Sequence, residues 1–351
     1  MTTDEILFER RGRTGFVTLN RPQALNALTH GMASALQAQL DEWRNDPEIG
    51  HVVVAGAGDK AFCAGGDIRH IYEQGIAGDP HQIDFFRDEY RLNVDIKHYP
   101  KPYIALIDGI VMGGGVGVSV NGSHRVGGDN IGFAMPEVGI GFFPDVGGTY
   151  FLPRMPGETG LYCGLTGARL KQADAQWSGV TTHALPSARF PELIEALESS
   201  TDVDATLDAF ASDPGPAPLA AMQPVIDETF GSSNVGEILK RLDDMTGEHA
   251  EWAAKTAKTI RKKSPTSIEI AYHQLRRGAK LDFDHCMQLE FRIVSRVLKG
   301  HDFYEGIRAT IIDKDNTPRW RPADFEQIEV VDIDGHFAVL PDGDLTFPAR
   351  D

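Results

Sequence analysis

The apolar positions change their period along the chain. Short runs of aliphatic and β-branched residues come first, at 6–8, 16–19, 51–55 and 103–107. The first two flank Arg11-Gly12-Arg13-Thr14-Gly15, which predicts a hairpin. The run HVVVA at 51–55 is continuous and not alternating, the mark of a strand buried on both faces. Between these runs Met32, Leu36, Leu40 and Trp43 recur at helical spacing, with Thr29 placed to cap the helix and Asp46-Pro47 to stop it. A further helix is expected over about 82–98, carrying Phe85, Phe86, Leu92, Ile96 and an acid, Glu89. Strands alternating with helices predict an α/β core. Beyond Arg154 the pattern is helical, with segments expected near 235–242, 248–263, 267–278, 284–299 and 301–312. The Pro- and Gly-rich ASDPGPAPL at 211–219 offers the natural divide, between a core of residues 1–210 that carries the chemistry and a helical C-terminal region of 220–351.

The chemistry gathers in 109–154. A buried-looking strand at 103–107 leads into Gly113-Gly114-Gly115 and then an apolar run, 116–120, expected to be helical. Glycines at a strand-to-helix turn let the backbone approach a ligand closely. They also leave the first helical amides free to donate to negative charge. Some twenty residues on stand two acids, Pro136-Glu137 and Pro144-Asp145, among Phe133, Met135, Ile140, Phe142 and Phe143. A carboxylate in apolar company is costly unless it has a partner or a task. Free amides plus poised carboxylates are the parts that stabilise an oxyanion and handle a proton or a water.

Composition narrows the partners. A net charge of −17 on 351 residues argues against nucleic acid and against an anionic membrane. An anionic substrate then needs a local basic patch. The three cysteines, Cys63, Cys163 and Cys286, are scattered and form no CxxC, which points to a reducing compartment. With no apolar segment after a basic start and no run long enough to span a bilayer, the expected location is cytoplasmic.

Several motifs have plain readings. Gly56-Ala57-Gly58-Asp59-Lys60-Ala61 matches G-x-G-x-x-A after a strand, but Gly65-Gly66 follows too soon for a long helix, so a turn is the better reading and a nicotinamide cofactor is discounted. Gly117-Val118-Ser119-Val120-Asn121 misses the nucleophile elbow at its last position. The histidines show no paired ligand spacing, so no metal is expected. Cys63 reads as a small buried residue. Lys255, Lys258, Arg261, Lys262, Lys263, Arg276, Arg277 and Lys280 face only Glu269 over 255–280; a solvated helix face is the default, a phosphate or subunit contact the alternative. For Glu89 the sequence alone slightly favours a surface acid.

LNRPQALNAL (19–28), KAFCAGGDIR (60–69), MGGG (112–115) and PEVGIGFFPDVGGTYFLPR (136–154), in this order and spacing, resemble the crotonase (enoyl-CoA hydratase/isomerase) superfamily. FFRDEYRLN (85–93), SPTS (264–267) and GHDFYEGIRATIIDKDNTPRWRPAD (300–324) make the chain most similar, within it, to the 3-hydroxyisobutyryl-CoA hydrolases. The resemblance implies an α/β fold, a crotonase-like spiral of ββα units with a helical C-terminal region, and a CoA thioester substrate. It implies that the N–H groups of Gly66 and Gly114 form the oxyanion hole and that Glu89, Gly114, Glu137 and Asp145 line the acyl pocket. Gln23, Leu25, Ala64 and Gly66 would hold the CoA arms, with Lys60, Arg69 and Lys314 toward its phosphates.

One departure separates relatives. Hydratases carry a glutamate four residues into the helix after the glycine turn; here that place is Gly117, and the second acid is Asp145, where hydratases usually have glycine. The expectation is therefore an acyl-CoA thioester hydrolase of valine degradation, with Glu137 as nucleophile or base, Asp145 positioning the 3-hydroxyl or a water, and no cofactor beyond the CoA of the substrate. An enoyl-CoA hydratase or isomerase is the alternative, and a non-catalytic acyl-CoA-binding protein the third. Whether the chain forms a homo-oligomer stays open.

Overall fold

The computed structural model describes residues 4–348. The expected hairpin forms: β1 (Ile6–Arg11) pairs antiparallel with β2 (Thr14–Leu19), Ile6 opposite Leu19. Helix α1 (His30–Arg44) follows, and Thr29 caps it by accepting from the Met32 N–H at 3.2 Å. Its buried face is Met32, Leu36, Leu40 and Trp43, as the spacing predicts.

From there the chain repeats itself. Strand β3 (His51–Gly56) enters a large sheet and β4 (Ala61–Cys63) a small one. Strands β5 (Tyr103–Ile107) and β6 (Ile110–Met112), then β7 (His124–Gly127) and β8 (Gly132–Ala134), do the same, and β9 (His183–Ala184) joins the large sheet. The sheet orders are β1-β2-β3-β5-β7-β9 and β4-β6-β8, parallel from β2 onward. This is the spiral of ββα units. Helices α2 (Ile68–Ile76), α3 (Asp84–Lys97) and α4 (Gly114–Gly117) leave the small-sheet strands or link the turns.

The described residues form two compact units, neither continuous in sequence. The first takes the chain through Asp67, then Asp88–Ala134 and Arg169–Ala220; the second takes Ile68–Arg87, Met135–Ala168 and the described residues from Ala221. In the first, Val53, Ile104, Leu106 and Val126 of the large sheet pack on Leu193, Leu197 and Leu207. In the second, the turn after Glu137 is built against the C-terminal helices. Gly141 has φ 72°, and a Cβ there would stand 2.0 Å from the Asp302 carbonyl oxygen. A Cβ on Gly306 would stand 2.3 Å from Ile140. Backbone meets backbone on both sides, which no side chain permits.

Several expectations need adjustment. The helix read at 116–120 is instead α4, four residues beginning within the glycine triplet. Valine and glycine are weak helix formers, and Ser119 and Asn121 side chains donate to the carbonyls of Gly115 (2.6 Å) and Gly117 (3.0 Å), so the chain goes on in turns. The helix expected from 82 opens as a 3₁₀ turn, Pro80–Ile83, before α3. The C-terminal helices fall close to expectation, at Val235–Asp243, Ala250–Arg261, Pro265–Gly278, Phe283–Val297 and His301–Ile307. The basic stretch is partly spent: Arg261 pairs with Asp243, Arg276 with Glu158 at 2.7 Å and Arg277 with Asp334 at 2.6 Å. No helix among the described residues is long and apolar enough to cross a membrane.

Gly141→Ala is expected to lower stability by about 3 kcal/mol, the range of backbone strain combined with a core clash. Gly179→Ala has the same left-handed strain (φ 80°) but open space around it. It should lose only about 1 kcal/mol. Denaturant midpoints of the two variants, at unchanged slope, check the difference.

Candidate active site

Parallel pairing of β4 with β6, Cys63 opposite Val111, sets the residues that follow each strand side by side. After β4 the chain runs Ala64-Gly65-Gly66. Leu28 donates to the Gly65 carbonyl (2.8 Å) and accepts from Asp67 (2.9 Å), which fixes the turn while leaving the Gly66 N–H to point elsewhere. After β6, Gly113 (φ 46°) opens α4 and Gly114 is its first residue. A first-turn amide has no acceptor within its helix. The two glycines meet: a Cβ on Gly114 would stand 3.2 Å from the Gly66 nitrogen. Two N–H groups from strand ends, one of them at a helix start, make a fitting pair of oxyanion donors.

Glu89 of α3 joins them. It is buried, at 1% exposure, and its Oε1 lies 2.7 Å from the same Gly114 Cβ position, so the reading of Glu89 as a surface acid is set aside. One turn further along α3 stands Asn93, fully buried, with neither amide atom bonded to a described residue. It was not singled out from the sequence, where only its i+4 spacing from Glu89 pointed to it. Cys63 behaves as the small buried residue expected: burial pushes its thiol up to about 12, so it is neutral.

The residues expected at the CoA arms gather in the same unit. Gln23 lies in the Pro22–Ala24 turn, and the Ala64 N–H donates to the Leu25 carbonyl at 3.0 Å. Leu25, Asn26, Gly58, Asp59 and Lys60 line a cavity of about 180 Å³. Buried Asn26 binds its walls together, donating to the carbonyls of Ala57 and Ala61, both at 2.9 Å. The G-x-G-x-x-A motif is thus a cavity wall leading straight into β4, with no helix after it.

The second unit holds the other two acids. Glu137 begins the 3₁₀ turn Glu137–Ile140 at 7% exposure, and Asp145, at 4%, follows the aromatic pair Phe142 and Phe143. Phe142 stacks on Phe86 (5.6 Å between centroids) and leans on Phe303 (5.7 Å), which keeps this stretch dry. Beside the turn, the Lys263 ammonium would lie 2.9 Å from a Gly139 Cβ, and burial, with Lys262 nearby, holds its pKa below the usual lysine value. Arg69 and Lys314 are exposed in this unit, and Arg69 donates to the Ile311 carbonyl at 3.0 Å.

A further acid escaped the sequence reading. Glu290, in the Phe283–Val297 helix, is fully buried and accepts from the Gly147 N–H (3.0 Å) and the Thr149 N–H (3.0 Å), just past Asp145. Burial first, and the Asp145 charge second, push its pKa up to about 8. Its place on the buried face of a predicted helix was the one signal available. Among the described residues no group of three or more His, Cys, Asp or Glu could hold a metal ion.

Residues 14–337 match the enoyl-CoA hydratase/isomerase family. The chain belongs to this family. Among similar curated proteins, the mitochondrial 3-hydroxyisobutyryl-CoA hydrolase of Danio rerio is 45% identical over 97% of this chain and 91% of its own length. That of Homo sapiens is 41% identical over 98% and 91%. Among solved structures, a carnitinyl-CoA dehydratase from Mycobacterium thermoresistibile has 40% identity and a TM-score of 0.93, over 99% of this chain and all of its own. An enoyl-CoA hydratase from Rhodobacter sphaeroides 2.4.1 has 40% identity and a TM-score of 0.91, over 98% and 100%. The expected cytoplasmic location is corrected by these relatives, since those named as hydrolases are also named mitochondrial. Unpaired cysteines report a reducing environment, not which compartment supplies it.

Gly114→Ala tests the donor pair. A methyl group there meets Glu89 Oε1 and the Gly66 nitrogen, so kcat for thioester turnover should fall by about 10²–10³, as for one lost oxyanion donor. The circular dichroism spectrum should match the parent; an unfolded variant would support a packing role alone.

Proposed function

We propose that the chain hydrolyses 3-hydroxyisobutyryl-CoA to 3-hydroxyisobutyrate and CoA, a step of valine breakdown. The observation that carries this reading is where the acids stand. Asp145 is a second buried carboxylate after Glu137, while Gly117, at the hydratase glutamate's place, is buried and has no side chain. Near-full-length identity to proteins named for this hydrolysis supports it.

The roles follow from the chemistry. The Gly66 and Gly114 N–H groups donate to the thioester oxygen as negative charge builds there. Glu137 attacks the carbonyl carbon to form a mixed anhydride, which a water then cleaves to release the acid and free Glu137, or it takes a proton from a water that attacks the carbonyl directly. The C–S bond breaks, and CoA leaves as its thiol after taking up a proton. Asp145 holds the 3-hydroxyl or the water, and Glu89 helps select the hydroxyacyl group, since a site built to bond a hydroxyl rejects analogues lacking it. Gln23, Leu25 and Ala64 face the CoA arms, and Lys60, Arg69 and Lys314 answer its phosphates. Water is the only co-substrate, and neither metal nor cofactor is required.

The names of the solved relatives favour a second reading, an enoyl-CoA hydratase. Addition of water to a C=C bond needs an acid and a base aimed at neighbouring carbons, and Gly117 can supply neither. With 3-hydroxyisobutyryl-CoA the protein should release free thiol, while crotonyl-CoA keeps its enoyl absorbance. Rapid absorbance loss without thiol would overturn the hydrolase reading. Glu137→Gln should lower kcat for thiol release by at least ~10²-fold, with KM for the CoA ester little changed. A variant with parental kcat would remove Glu137 from the mechanism.

A further inference from the structure

The turn that carries Asp145 is held in an unfavourable conformation. Val146 has φ 51° and Gly147 φ 97°, two left-handed residues in succession, and the first is β-branched. A valine avoids this region because its side chain crowds the backbone, so something outside the turn must impose it. Two fully buried side chains grip it. Glu290 takes the N–H groups of Gly147 (3.0 Å to Oε2, 3.2 Å to Oε1) and Thr149 (3.0 Å). Gln274, from the Pro265–Gly278 helix, donates to the Pro144 carbonyl and to the Thr149 hydroxyl, both at 2.6 Å. The grip falls on both sides of Asp145-Val146, on the Pro144 carbonyl before them and on Gly147 and Thr149 after them.

We propose that Glu290 and Gln274 form a buried clamp that positions Asp145, a role that rests on Asp145 serving the hydrolysis as read above. Both are positioning residues acting through the turn. Glutamine at 290 keeps the shape but puts an NH₂ group against amide donors, so the bonds to Gly147 and Thr149 cannot all persist. The charge around Glu290 is also specific. Asp145 faces it from the turn, and one turn earlier on its own helix stands Cys286, a neutral thiol pushed up to about 12 by burial first and Glu290 second, with Arg154 opposing and Asp282 adding to the shift. Glu290 carries its proton below pH about 8 and gains a charge above it. A second charge beside Asp145 opposes the build-up of negative charge on a substrate. The parent's kcat should therefore fall as pH rises through that value, and the Glu290→Gln variant should lack this step.

The test uses the full-length protein with 3-hydroxyisobutyryl-CoA, comparing Glu290→Gln, Gln274→Met and Asp145→Asn. For Glu290→Gln we expect kcat at least tenfold lower at pH 7, KM within twofold, and faster deuterium uptake in the peptide spanning 144–150. Gln274→Met should repeat the kcat loss and faster uptake, and it decides the matter if Glu290→Gln does not fold. Parental kcat and uptake in the folded variants, with Asp145→Asn inactive, overturn the clamp but keep Asp145 in the reaction. Parental kcat in Asp145→Asn overturns both.

Discussion

Taking carboxylates out of water is the constraint on which the functional acids of both units depend. Glu89, Glu137, Asp145 and Glu290 are all below a tenth exposed. Each uncompensated buried charge costs several kcal/mol. Glu290 escapes that cost near neutrality by keeping its proton, and its oxygens are satisfied by two backbone N–H groups brought to it by a turn that runs left-handed through Val146 and Gly147. Close backbone approach then dictates sequence nearby. Gly141 and Gly306 are glycines because the Glu137 turn lies directly on the His301–Ile307 helix. The glycine-rich look of 136–154 and the GHDFYEG segment at 300–306 are therefore one packing requirement written twice.

The donor half of the chemistry needs no side chain at all. It comes from the strand order, because β4 and β6 are parallel neighbours and so end beside each other. Any chain that repeats the ββα turn obtains two adjacent strand ends. Glycines stand at both ends, and a Cβ at 114 would crowd the Gly66 nitrogen at 3.2 Å and push on the Glu89 carboxylate. Glu137 and Asp145 are a separate layer of specification, on turns braced by C-terminal helices.

Legibility followed length and period. Helix α1 and its cap, strands β3 and β5, and the five long C-terminal helices could be read because each repeats its pattern over enough residues. The small sheet could not: β4, β6 and β8 are three residues each, too short for any period. The glycine turns and the Pro-acid pairs stood out by chemistry, yet Glu290 and Asn93 did not, since a polar residue on a helix's buried face looks like a neighbour of the exposed one until the packing is known. Likewise Arg276 and Arg277 looked like a free basic face, and the acids that answer them, Glu158 and Asp334, lie far away in sequence.

The charge balance gives the last step. A chain of net charge −17 is set to stabilise further negative charge on a thioester oxygen, and its buried acids work against that. Two features reduce the conflict. The donors are amides, whose dipoles need no counterion and are fixed by strand and helix geometry before substrate arrives. In addition, burial first and the nearby Asp145 second raise the Glu290 pKa to about 8, so near neutrality Glu290 adds no full charge beside Asp145. Hydrolysis needs only one ionised carboxylate to attack or to act as base, whereas hydration needs an acid and a base together. Buried acids in the second unit of which Glu290 is neutral near pH 7, and no acid at 117, suit the first demand.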